Sequence, residues 1–394
     1  MRKIDTTKVS ALLLALTMLF SLSGCCHTTE NNTPEEASNQ EASNIAQSYR
    51  SLIEGETTNG ITSISNDIMV QILNIVAGMG YAVTDTAGRF DLKNPQIVTD
   101  FFSQLNDSTN AKMTIIELCY DGGFIKSDIS VDGDKRTINM TRVTWNNLKP
   151  LITYTSENDL LELRYTAKGY LILKRNIPNN NGGNHDGYIE PTTMIRVAPL
   201  DKKCREYCEK YISLIGYDGN DLFLTDWKSD DMSGVIINDL FPILFRIVNN
   251  ESLEYYNCPY PLDKGLGYIL VPSKDFESLL MKYFNITSAE IKKWAVYDAN
   301  TDSYPIAMPE MFGKESSKPV PEVTGYNENE DGTITLYVDA LFVEYGTDKA
   351  FSHAVTIKVE KDGNFKYISN HIYTTAEDIL PEYENNYRNF INNK

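Results

Sequence analysis

Histidine is scarce in this chain: four residues in 394, at His27, His185, His353 and His371. A catalytic or metal centre built on several imidazoles has almost nothing to draw on. The six cysteines, Cys25, Cys26, Cys119, Cys204, Cys208 and Cys258, are too few and too scattered for a disulfide scaffold. Cys204 and Cys208 share a helix face, a spacing that suits a direct bridge poorly, and no further Cys or His lies close enough in sequence to complete a zinc site. Basic residues are in deficit, 36 Lys and Arg against 54 Asp and Glu, for a formal charge of −18. A surface of that sign repels nucleic acid and anionic polymers, which argues against a DNA or RNA partner. There is no metalloprotease helix motif, no phosphate-cradling Gly-Lys loop and no nucleophile elbow. Gly265-Leu266-Gly267 is too short for a dinucleotide fingerprint. No catalytic residue, metal site or cofactor is assigned.

What is present begins at the N-terminus. Arg2, Lys3 and Lys8 precede an apolar run from Val9 to Leu22, which ends in Leu22-Ser23-Gly24-Cys25. Basic, apolar, then small residues is the order of an export signal. The run falls short of the roughly twenty residues a spanning helix needs, so it suits cleavage better than retention. Its last four residues resemble a bacterial lipobox. That resemblance implies cleavage before Cys25, lipidation of its thiol, and a body held on the outer face of the cell membrane by the lipid. Residues 1–24 are thus expected as signal peptide, and 25–60 as the lipidated start and a flexible linker, because Cys26 to Gln47 is rich in Thr, Glu, Asn and Ser.

The remainder holds 42% hydrophobic residues and many aromatics, 24 of them Tyr, enough to fill cores. Ser65 can cap a helix carrying Ile68, Met69, Ile72, Leu73 and Val76, and Asn94-Pro95 opens a second. Strands follow at Met113–Tyr120, Phe124–Val131, Thr137–Trp145, Leu160–Thr166 and Tyr170–Arg175, with Asp-Gly and Lys-Gly turns between several of them. Helices are expected again at 201–215, 238–248, 273–284 and 288–294, then strands at Thr333–Val343, Phe351–Glu360 and Asn364–Tyr373. Short turns imply antiparallel pairing. The fold class is therefore α+β: antiparallel β-meanders packed with helices, in two such units. The expected divisions are 61–200 (helices and sheet), 201–310 (mostly helical) and 311–394 (C-terminal sheet and a fraying polar tail). Val271-Pro272-Ser273, Lys282-Tyr283-Phe284, Tyr297-Asp298 and the closing hairpin are similar to an uncharacterised group of Gram-positive surface lipoproteins.

The candidate ligand-binding residues are His353 and His371. If Lys361-Asp362-Gly363 is a three-residue turn pairing Glu360 with Asn364, equal counting back sets the two imidazoles opposite one another in an aromatic-lined hollow. The alternative is an inert, hydrogen-bonded pair at a core edge. Asp298 to Asp302 has the oxygen spacing of half a calcium loop without its turn glycine, and reads better as a polar turn. Gly183 to Gly187 with Glu190 reads as a loop, and Tyr255, Tyr256 and Tyr260 as exposed aromatic ground or core. Three functions remain open: a non-enzymatic lipoprotein binding an envelope protein or polymer, an exported hydrolase using carboxylates, and a solute receptor for an importer. A cleft with two converging buried carboxylates favours the second, and parallel α/β lobes the third.

Overall fold

The computed structural model describes residues 33–58, 61–177, 191–254, 258–263, 265–307, 318–373, 375–384, 386–387 and 390–391. The expected signal peptide, Cys25, His27, His185, Glu190, Tyr255 and Tyr256 lie outside the described residues.

The described chain departs from expectation at its start. Residues 34–48, expected as flexible linker, form helix α1 (Pro34–Ser48). Thr33 and Glu36 close a reciprocal capping box, Glu36 N–H donating to Thr33 Oγ1 (3.3 Å) and Thr33 N–H to Glu36 Oε2 (2.8 Å). Ala42, Ile45, Ala46 and Tyr49 recur at helical spacing and are fully buried. The polar composition hid a narrow apolar stripe. Helix α2 (Arg50–Glu56) and the small hairpin β1 (Thr57–Thr58) and β2 (Ile61–Thr62) lead to α3 (Asn66–Gly78), capped by Ser65 as expected.

Strand β3 (Ala82–Asp85), helix α4 (Gln96–Asp107) and strand β4 (Asn110–Leu118) make a crossover in which β3 and β4 run parallel. Then follow β5 (Phe124–Asp132), β6 (Lys135–Asn146), β7 (Lys149–Tyr165), β8 (Tyr170–Arg175) and β9 (Thr192–Arg196), all antiparallel neighbours, in a seven-stranded sheet ordered β3 to β9. The fold is α+β with mostly antiparallel sheets, as expected; the parallel β3–β4 pair was not foreseen. One face of the sheet packs on α4 through Val98, Phe101, Ile115 and Leu173. On the other face, Ile116, Phe124 and Val143 pack against α1 to α3. Buried Lys126 pins α1 there. It pairs with Glu41 at 2.9 Å and with Asp128, and donates to Ser38 Oγ at 3.1 Å.

The second unit starts with α5 (Lys202–Tyr207), which widens into one π-helical turn at Cys208–Ile212. It continues with β10 (Trp227–Lys228), α6 (Leu240–Asn249), β11 (Ile269–Pro272), α7 (Ser273–Tyr283), α8 (Ser288–Trp294) and β12 (Ser303–Ile306). Strands β13 (Val320–Glu328), β14 (Thr333–Phe342), β15 (Thr347–Val359) and β16 (Phe365–Tyr373) close it, in a five-stranded antiparallel sheet ordered β10-β16-β15-β14-β13. Residues from the expected 201–310 and 311–394 regions share one core, where Phe241, Phe276 and Tyr304 meet Val355 and Tyr367. The described part of the tail is docked rather than frayed: Tyr387 and Phe390 are buried against Tyr268.

Candidate ligand site between the two sheets

The expected histidine pair does not assemble. The turn itself forms as read: Glu360 N–H donates to Asn364 O at 2.7 Å, and Gly363 adopts φ +87°, a left-handed conformation that favours glycine. Between Thr356 and Ile357, however, the register slips by one, so that His353 faces Ile372 and His371 faces Ala354. One inserted residue on β16 reverses the facing of everything beyond it. His353 is wholly buried, whereas His371 keeps 65% of its side chain exposed beside Asp226. Asn370 takes the place expected for His371. Its Nδ2 donates to Thr225 O, so its Oδ1 accepts from His353 Nδ1–H (2.6 Å), and Tyr217 O–H donates to His353 Nε2 (2.8 Å). Burial lowers the His353 pKa to about 4, so the ring stays neutral. This is a satisfied core histidine.

The other sequence candidates within the described residues are also structural. Asp298 accepts from Asn300 N–H and Thr301 Oγ1–H, closing the turn before β12. Tyr260 packs edge-on against Phe241. Cys204 and Cys208 are buried free thiols. Among the described residues, no three His, Cys, Asp or Glu side chains gather where a metal ion would sit, and no helix is long and apolar enough to cross a membrane.

A cleft of about 660 Å³ lies where the two units meet. On one side stand the loop after β3 and the end of β4; on the other, Pro321, Glu322 and Leu341 of β13 and β14, with Tyr170, Met194 and Arg196 of β8 and β9 between. The walls are tied to each other. Arg196 Nη1 meets Glu322 Oε1 at 2.5 Å, its guanidinium lies over the Tyr170 ring, and Tyr170 O–H donates to the same carboxylate. Lys168 pairs with Asp339, and Arg164 donates to Gly346 O at 2.9 Å. Across the rim Arg205 pairs with Asp91 and donates to Arg89 O at 3.0 Å. Gly169 permits the β8–β9 approach: at φ +84°, a Cβ there would lie 2.2 Å from the Ala198 Cβ. A cleft braced in this way is formed before any ligand arrives.

Three carboxyl groups stand deep in it, and their situations differ. Asp85 is buried and accepts from the N–H groups of Arg89 (3.2 Å) and Phe90 (3.0 Å), which fixes the shape of the rim loop. Glu322 is held by Tyr170 and Arg196; burial raises its pKa while these two partners oppose the rise. Glu117 receives no hydrogen bond and no ion pair at its carboxyl among the described residues. Burial, and then the charge of Asp85, push its pKa up to about 7, with Arg175 opposing.

None of these residues was singled out from sequence. Glu117 left a trace: it follows Met113 and Ile115 at alternate positions, so it continues an inward-facing row with a carboxylate. Arg196 and Glu322 left none, since β9 and β13 were not expected as strands.

A protein-family model described as a family of unknown function (DUF6070) matches residues 35–386, and the chain belongs to that family. Comparison with curated proteins and with solved structures gives no match.

Proposed function

We propose that this protein is a lipid-anchored extracytoplasmic binding protein, held to the membrane through Cys25, that takes its ligand in the cleft between the two sheets. The anchor rests on the ordered signal and lipobox of residues 1–25. The binding role rests on one observation: of the three carboxyl groups deep in the cleft, Asp85 and Glu322 are already committed to the protein, and Glu117 alone is left over. A hydrolytic pair would need a second carboxylate free to act on the same substrate atom. An importer's receptor built as two parallel α/β lobes is disfavoured by sheets whose described strands pair antiparallel with their neighbours, β3–β4 excepted. The strong negative charge disfavours nucleic acid as the ligand. An envelope protein or polymer that presents a small group to the cleft fits this reading.

Two measurements test it. Mass spectrometry of the chain purified from membranes is expected to find residues 1–24 removed and a lipid-modified Cys25; retained Met1 or an unmodified thiol refutes the anchor. Native mass spectrometry of the full chain, exposed to low-molecular-mass fractions of culture medium, is expected to show an adduct that Leu341→Trp, which fills the cleft, removes. An adduct indifferent to that substitution refutes the cleft as the site.

A further inference from the structure

We infer that the cleft takes a small organic cation, an ammonium group seated on the Glu117 carboxylate with its hydrocarbon portion against Met194, Leu200 and Leu341. This deepens the binding role proposed above and rests on the cleft being the ligand site.

Charged side chains line the cleft. Five carboxylates and three guanidiniums face it. Two of the cations are spent on two of the acids, Arg196 on Glu322 and Arg205 on Asp91. The third, Arg89, is at the rim with its guanidinium over the Tyr120 ring. Asp85 is satisfied by backbone N–H groups. Glu117 is left with no hydrogen-bond donor and no ion pair at its carboxyl among the described residues. Asp85 on β3 faces it with like charge and Arg175 on β8 with opposite charge. Glu322, Arg196 and Glu209 complete the charged surroundings from β13, β9 and the turn after α5.

A ligand's preference follows from that imbalance. An anion in the cleft would add to the repulsion. A neutral hydroxyl would give one hydrogen bond. An ammonium would supply both the missing charge and the missing donors, and would restore the ionised form that burial disfavours. Met194, Leu200 and Leu341 give part of the lining an apolar surface, and the portion of the ligand that lies against it is hydrocarbon. The volume suits a small molecule, within the usual range of roughly 300–1,000 Å³.

The test is calorimetry on the full chain in non-ionic detergent, with phenethylamine, its neutral analogue 2-phenylethanol and its anionic analogue 3-phenylpropanoate. Phenethylamine is expected to bind best. Its affinity is expected to rise about 30-fold between about pH 5.5 and about pH 8 as Glu117 ionises, since the amine stays protonated throughout. Glu117→Gln is expected to weaken binding at pH 8 about tenfold or more and to flatten the pH profile, whereas Glu117→Asp keeps both features in reduced form. The Asp variant serves as the probe if the Gln variant fails to fold. Phenethylamine binding equally well to Glu117→Gln, or bound with no pH dependence, overturns the assignment. If 2-phenylethanol or 3-phenylpropanoate binds as tightly and Leu341→Trp abolishes it, the cleft stands as a ligand site and the cation does not. If none of the three binds, the inferred ligand class is overturned, while the adduct removed by Leu341→Trp still decides the cleft by itself.

Discussion

His353→Phe tests whether the buried imidazole is a neutral strut. The substitution keeps an aromatic ring among Tyr217, Phe223 and Phe351 but removes both ring nitrogens. Tyr217 O–H and Asn370 Oδ1 then lose their partners in places 2% exposed. A buried polar group left unsatisfied costs about 1–3 kcal/mol, so the variant is destabilised by about 3 kcal/mol at neutral pH. The wild-type imidazole has a second property. Its pKa in the folded state is about 4, below the ordinary 6.5. The unfolded chain therefore binds the proton more readily, and wild-type stability is complete above about pH 6.5 and lost as pH falls toward 4. The loss amounts to about 3 kcal/mol over that window. The Phe variant has no such proton to take up. Its deficit should shrink from about 3 kcal/mol at pH 8 to near zero at about pH 4. Urea unfolding followed by circular dichroism at stepped pH measures both curves. A deficit that stays constant across that range refutes the neutral, hydrogen-bonded histidine.

Glu117→Gln should be more stable than wild type above pH 7 and indistinguishable from it below about pH 4.5. The folded carboxyl, at about 7, holds its proton where the unfolded one has released it, so folding is opposed increasingly as pH rises through that interval. With allowance for water in the open cleft, the gain is about 2 kcal/mol in thermal or urea melts; no gain at pH 8 contradicts the account of Glu117 as a desolvated, unpaired carboxylate. Lys126→Met should cost about 2 kcal/mol. The loss is below that of a fully buried pair because Glu41 and Asp128, 41% and 29% exposed, can turn to solvent. Amide exchange within Pro34–Ser48 should accelerate more than exchange in β14 to β16, and uniform acceleration would place the lysine's role elsewhere.

The parts of the fold that rest on local chemistry were readable from sequence. Ser65 capping α3, the Gly363 turn and the alternating strands β4 to β6 each depend on residues within a few positions of one another. The misreadings had other causes. The linker became α1 because Ala42, Ala46 and Tyr49 are an inconspicuous stripe whose burial depends on a sheet formed much later in the chain. The histidines separated because a single bulge in β16 carries no local signature, yet decides which face every residue beyond it occupies. The cleft was least visible of all. Its ties run between Tyr170 and Glu322, and between Arg205 and Asp91, over sequence separations that no periodicity encodes.

The docked first helix would limit how far a body anchored at Cys25 could stray. If Cys25 carries the lipid, eight peptide units separate it from Thr33, where α1 begins. Fully stretched at about 3.5 Å each, they reach about 28 Å. A compact body of this length has a radius of gyration of about 20 Å, so the leash is shorter than the protein is wide. Such a molecule grazes the bilayer and swivels in place. A ligand of the proposed cleft would then be met at the membrane surface.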